Sequence, residues 1–154
     1  MKHRSVVLGL FVLLFGLVAA AKYESDAKAT KPAQVEPLHL AASYQSFKQS
    51  GKPSVIVFSY DADCCETTKR FFNEYNTKAR ALLEKYRKRF NTLFVNTGTL
   101  DEEQVSEFLA VAREAKITEV PCVLLLDSSG QPVQVVSGPF DDNELNVAIE
   151  RLLR

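Results

Sequence analysis

The residues with the most chemistry available to them are three cysteines, Cys64, Cys65 and Cys122. Cys64 and Cys65 are adjacent. They follow the apolar run Val55-Ile56-Val57-Phe58 and precede a long helical pattern. A thiol in the first turn of a helix meets the positive end of the peptide dipoles and unpaired N–H groups, and both favour the thiolate. Asp61, Asp63 and Glu66 surround the pair, and their charge acts against a further anion. A thiolate held there would attack disulfides. A disulfide between the two neighbours is strained, because adjacent Cα atoms lie about 3.8 Å apart against the usual ~4.4–6.8 Å, so it is expected only as a transient or switching state. Cys122 opens a second apolar run. It is either a partner thiol for Cys64 or Cys65 or a small buried residue of that run. Three converging thiols could also hold a soft metal such as Cu(I), with His39 to assist, although a lone histidine ahead of a short helix is more often incidental. Only two histidines are present, His3 and His39, so no Ser/His/Asp set assembles, and no Gly-rich phosphate loop is present.

The elements that must position these thiols follow from periodicity. Leu40, Tyr44 and Phe47 have helical spacing, ended by Gly51 and Pro53. Ser54 to Tyr60 reads as a strand, and its unbroken apolar centre predicts burial on both faces. A long helix is expected from Asp63, with Asp63 and Glu66 as a capping box. Its inward stripe is Phe71, Phe72, Tyr75, Ala79, Leu82, Leu83, Tyr86 and Phe90. Thr92–Asn96 is a second strand. Asp101 and Glu102 open a helix with Val105, Phe108, Leu109 and Ala112 inward. Ile117–Pro121 connects to a third strand, Cys122–Leu126. Ser128-Ser129-Gly130 marks a turn into a fourth, Pro132–Ser137, paired with the third as a hairpin. Asp141 and Glu144 cap a last helix with Leu145, Ala148, Ile149 and Leu152 inward. The order α-β-α-β-α-β-β-α predicts a mixed four-stranded sheet with helices on both faces, an α/β fold.

The chain has 154 residues and balances 19 basic against 19 acidic side chains. Lys2 and Arg4 precede the apolar stretch Val6–Val18, which ends in Ala19-Ala20-Ala21. That is the form of a secretory signal peptide over residues 1–21, and the stretch falls short of the roughly 20 residues of a membrane span. The other reading of the same residues is an uncleaved anchor. Cleavage removes two bases and no acid, so 17 basic residues then face 19 acidic ones. With no basic stripe, nucleic acid is not an expected partner. A membrane is expected as a partner only through the signal segment before its cleavage. The expected location is outside the cytoplasm, periplasmic or extracellular, where disulfides persist. Residues 22–37 are polar and Pro-containing and read as a flexible linker, leaving 38–154 as one domain. Three cysteines, an odd number, do not make a disulfide scaffold.

The order of elements, with thiols at the junction of a central strand and a long helix, resembles the thioredoxin fold over about residues 38 to 153. Cys64 stands where that family carries its attacking cysteine. Ile117-Thr118-Glu119-Val120-Pro121-Cys122 is similar to the segment bearing the family's cis-proline. The resemblance implies a cis Pro121 facing the thiols, Val120 and Tyr60 beside an extended peptide, and protein or peptide thiols and disulfides as partners, with no cofactor. The family's Cys-x-x-Cys is replaced by Cys64-Cys65-Glu66-Thr67, so Thr67 takes the resolving position, and the chain has no tryptophan. Thiol–disulfide exchange with Cys64 attacking is the activity the resemblance implies. The alternatives are a thioredoxin-fold binding module without turnover and a copper carrier.

Overall fold

In a computed structural model, residues 39–153 are described; the expected signal peptide (1–21) and linker (22–37) lie outside them. The elements are α1 (Leu40–Gln49), β1 (Ser54–Ser59), α2 (Glu66–Tyr86), β2 (Asn91–Asn96), a 3-10 turn (Thr97–Thr99), α3 (Glu102–Ala115), β3 (Cys122–Leu126), β4 (Pro132–Ser137) and α4 (Asp142–Arg151). Among the described residues, no helix is long and apolar enough to cross a membrane.

The sheet order is β2-β1-β3-β4. β1 and β2 are parallel, and β1–β3 and β3–β4 are antiparallel. The two central strands, β1 and β3, are buried along their whole length. This is why both read as unbroken apolar runs: side chains alternate between faces, and each face is covered. Val55, Val57, Val123 and Leu125 pack under α2 and α4, against Ala79, Leu82, Leu83, Tyr86, Leu145 and Ile149. Ile56, Phe58, Cys122, Leu124 and Leu126 pack on the other face, against Leu40 and Tyr44 of α1 and Val111 and Ala115 of α3. The mixed α/β sheet with helices on both faces is therefore as expected.

Two helix caps match the sequence. Asp101 accepts from the Gln104 N–H at 2.9 Å while Gln104 Oε1 accepts from the Asp101 N–H at 3.0 Å, a complete capping box. Asp141 accepts from the N–H groups of Asn143 and Glu144.

Three expectations are corrected. The Asp63/Glu66 box does not form, because α2 begins at Glu66 with Cys65 as its N-cap. Asp63 stands outside the helix, solvent-exposed, 3.6 Å from Lys69. In α3, Val105 and Leu109 are exposed, while Val111, Ala112 and Ala115 are buried and Phe108 is partly buried. Both stripes of α3 are apolar, and contact with α1 selects the one containing Val111 and Ala115.

α2 has 21 residues. Its buried residues begin only at Tyr75, so Glu66 to Glu74 carries none. Phe71 of the predicted inward stripe is accordingly exposed. The leading end of α2, with its cap, is open to solvent.

Candidate functional site

The thiols sit in the loop joining β1 to α2. Polar groups pin the start of that loop from two sides. Asp61 Oδ1 accepts from Asn76 Nδ2 of α2 at 2.7 Å, and its Oδ2 accepts from Asn96 Nδ2 at the end of β2 at 2.6 Å. Asn76 is nearly buried within a helix, a place where an unpaired amide would be costly. It also accepts from the hydroxyl of buried Ser59. Thr97 Oγ1 donates to the Ser59 carbonyl at 2.9 Å. Ala62 is buried behind this clamp. Asp61 thus serves as an anchor for the loop, with both carboxylate oxygens engaged.

Beyond Ala62 the loop is exposed, and both Cys64 and Cys65 are free and accessible. Cys65 is extended, with φ −160° and ψ 159°, the backbone of an N-cap. Its carbonyl accepts the first helical hydrogen bond, from the Lys69 N–H at 2.9 Å. Its sulfur lies 3.0 Å from Thr68 Oγ1. The neutral thiol makes no side-chain cap bond to the helix N–H groups. The thiolate gains most. The Thr68 hydroxyl, followed by the Thr68 N–H and then by the Cys64 thiol and the Thr67 N–H, pulls the Cys65 thiol below its ordinary value. A thiolate formed there would sit at a helix N-terminus, where the dipole and free N–H groups favour it.

The sequence placed the attack at Cys64 with Thr67 beside it. In the structure it is Cys65 that caps α2, and its sulfur that meets a hydroxyl, that of Thr68. Thr67 contributes its backbone N–H, and its side chain is exposed. Thr68 escaped the sequence reading because its part depends on which residue caps the helix. The signal available was Cys65-Glu66-Thr67-Thr68, a hydroxyl three residues after a thiol, the N-cap to N3 spacing.

The Val120–Pro121 peptide bond is cis. Cys122, the next residue, is paired directly with Phe58 across β1 and β3. The thiol loop leaves β1 just beyond Phe58, so the cis-proline segment and the thiol loop lie at one end of adjacent strands. Pro121 is buried, with its carbonyl accepting from the Gly138 N–H at 2.8 Å. Val120 is exposed, as is Tyr60 at the mouth of the loop. The Tyr60 ring meets Phe72 edge-on, with centroids 5.7 Å apart. It also lies over Gly98, where a Cβ would come within 2.7 Å of its ring carbons. The absence of a side chain at Gly98 is thus what lets the ring approach the turn after β2 so closely.

Cys122 is sealed from solvent, unlike the exposed pair. Its side chain shares a face with Phe58, Leu40 and Tyr44, on the side of the sheet opposite α2. It is fully buried. Burial first, and the Glu119 charge second, push its thiol up to about 12. Among the described residues no group of three or more His, Cys, Asp or Glu side chains is placed to hold a metal ion, so the three-thiol copper reading has no ligand set behind it. His39 is the N-cap residue of α1.

This sheet and these helices define a thioredoxin fold. Thioredoxin O2 from Arabidopsis thaliana, in the oxidized state, superposes with a TM-score of 0.50 at 18% identity, over 73% of this chain and 85% of its own. Thioredoxin O1 from the same plant, also oxidized, gives 0.49 at 21% identity, over 73% and 88%. A protein described as DsbH oxidoreductase gives 0.49 at 16%, over 74% and 81%. At these identities the likeness is one of fold. No protein-family model matches the chain, and no curated protein matches it.

Proposed function

We propose that this protein carries out thiol–disulfide exchange outside the cytoplasm, with Cys65 as the attacking thiol. The observation that carries this is the exposed Cys65 sulfur at the N-cap of α2, 3.0 Å from the Thr68 hydroxyl. A depressed pKa raises the thiolate fraction near neutrality, and the thiolate is the nucleophile. In the first step Cys65 Sγ attacks one sulfur of a substrate disulfide. A new S–S bond forms to Cys65, the old one breaks, and the substrate's other sulfur leaves as a thiolate. A second thiol then displaces the substrate from Cys65. Tyr60 and Val120, exposed at the same end of the sheet, flank an extended substrate peptide, and the backbone at Val120 supplies hydrogen bonds to it. Pro121 fixes the direction of that segment. Cys122, sealed under α1 and α3, stays out of the cycle.

The export signal at residues 1–21 places the mature chain, with its 22–37 linker, in the periplasm or outside the cell. Its partners there are protein or peptide thiols and disulfides. The full chain is tested by mixing it with a defined disulfide and following exchange for the natural protein, Cys64→Ser and Cys65→Ser. Loss of attack in Cys65→Ser alone is the expected result. An inert natural protein would end the proposal.

The binding-module alternative draws on an aromatic run of its own. Phe71 meets Phe72 at 5.1 Å and Tyr75 at 6.4 Å, and Tyr75 meets Phe140 at 5.3 Å. A cleft of about 110 Å³ lies beside it, lined by Phe71, Glu74, Tyr75, Lys78, Pro139 and Phe140. Under that reading a bound peptide is retained equally by the protein and by its Cys65→Ser variant.

A further inference from the structure

We infer that Cys64 is the resolving thiol, and that the oxidised form of the site is a disulfide between the two neighbours, Cys64 and Cys65. The inference rests on the exchange reading above and completes its second step.

The chain has three sulfurs able to resolve or attack, and the fold separates them into two groups. Cys64 and Cys65 are both exposed and joined through one peptide bond. Cys122 is fully buried on the opposite face of the sheet, against Phe58, Leu40 and Tyr44. To reach Cys65 it would have to leave the core cluster that closes the α1/α3 layer. The position three residues after Cys65 is Thr68, whose hydroxyl holds the thiolate and cannot close a disulfide. Cys64 is therefore the internal thiol within reach.

Local structure allows the ring to close. The peptide between Cys64 and Cys65 precedes α2, so twisting it leaves the helix ladder from Lys69 onward in place. Upstream, the Asp61 clamp to Asn76 and Asn96 holds the loop. Downstream, α2 holds Glu66. The adjustment is confined to residues 63–65.

The step balances as follows. After Cys65 has attacked, the substrate sulfur is bound to Cys65 and its first half has left as a thiolate. Cys64 gives its proton to solvent, and its thiolate attacks Cys65 Sγ. The Cys64–Cys65 bond forms, the bond to substrate breaks, and the second half leaves as a thiolate. The substrate disulfide is the oxidant and takes two electrons from the two protein thiols. The reverse sequence oxidises a substrate dithiol. Neighbouring Cα atoms at about 3.8 Å lie below the usual disulfide span of ~4.4–6.8 Å, so the ring is strained. Strained, exposed disulfides are the readily reduced ones. Such a ring is readily reopened by a substrate dithiol, and an excess of disulfide substrate is what closes it.

The test uses the reduced full chain and cystamine, a small disulfide whose positive charge suits the neighbouring Asp63 and Glu66. Remaining thiols are trapped with N-ethylmaleimide, and intact and peptide masses are read. The expected end state of the natural protein and of Cys122→Ser is two hydrogens lighter than the reduced form, free of cysteamine, with the bond mapped to Cys64–Cys65. Cys64→Ser is expected to stall with one cysteamine on Cys65. The inference is overturned if the natural protein stalls in the same way, or if its disulfide joins Cys122 or two chains. If cysteamine never attaches to Cys65 in either protein, the exchange reading itself fails and this inference goes with it.

Discussion

At the scale of single residues the site depends on one hydroxyl and one cap position. Thr68 is the first cause of the lowered Cys65 thiol. Thr68→Val keeps the size of the side chain and removes the donor. Its expected effect is an upward shift in the midpoint of the pH–rate profile for iodoacetamide at Cys65, with slower alkylation at neutral pH. An unchanged midpoint would show that the helix N–H groups suffice. Cys122 behaves in the opposite way. Its thiol is pushed up to about 12 by burial, so it should remain unlabelled in the native protein at pH 8 and label only on unfolding. The same group links stability to alkaline pH. In the unfolded chain a cysteine ionises near pH ~8.5, while in the fold it keeps its proton to about 12. Between those values the folded state binds the extra proton, so stability is full below the lower one and falls as pH rises through the window. Urea midpoints across that window should drop less steeply for Cys122→Ala than for the natural protein. Tyr44, raised to about 12 by burial and then by Glu114, adds to the fall in the upper part of that range.

At the scale of elements, the β1–α2 loop is held by side chains far apart in sequence. Asp61 reaches Asn76 on α2 and Asn96 on β2. Asp61→Ala leaves the nearly buried Asn76 amide short of a partner, a cost of about 1–3 kcal/mol. Asp63→Ala removes only an exposed ion pair with Lys69, a change within about 0.5 kcal/mol. Chemical denaturation of the two variants checks this, and equal losses would remove Asp61 as the anchor. The contrast also marks where sequence reading stopped. A cap was legible at Asp101 and Asp141, because each is followed by N–H groups of its own helix. Asp63 carried the same local signature and failed, because the clamp on Asp61 and the burial of Ala62 delay the helix to Glu66. Nothing within the loop's own sequence states that.

At the scale of the whole molecule, the sheet divides the core into two layers, and the thiols divide with it. The leading end of α2 projects past the buried layer and presents Cys65, while β3 carries Cys122 inward. Tyr75, where burial of α2 begins, has a hydroxyl that is buried without a hydrogen-bond partner. Tyr75→Phe is expected to keep the fold and raise stability by about 1 kcal/mol, since a desolvated and unpaired group is removed. Thermal unfolding reads this directly, and a loss of stability would mean that the hydroxyl is bonded in solution. The proposed export is a whole-chain matter too. Sequencing the amino terminus of protein made from the complete gene should find the chain beginning just after Ala21.

The order of elements, the paired β3–β4 hairpin and the two unbroken central strands were set by sequence alone, because periodicity, turn residues and caps act over a few residues at a time. That order was enough to anticipate the fold and the end of the sheet at which the exposed thiols stand. Which cysteine caps α2 and meets the Thr68 hydroxyl was decided only by tertiary structure, because it depends on where α2 starts. That start is fixed by contacts to Asn76 and Asn96, 15 and 35 residues from Asp61. The fate of Cys122 was decided in the same way. Alternation along β3 groups it with Leu124 and Leu126, but only its register with Phe58 turns that group away from α2. The outward turn of Val105 and Leu109 has the same origin, a choice between two apolar stripes made by the neighbouring helix.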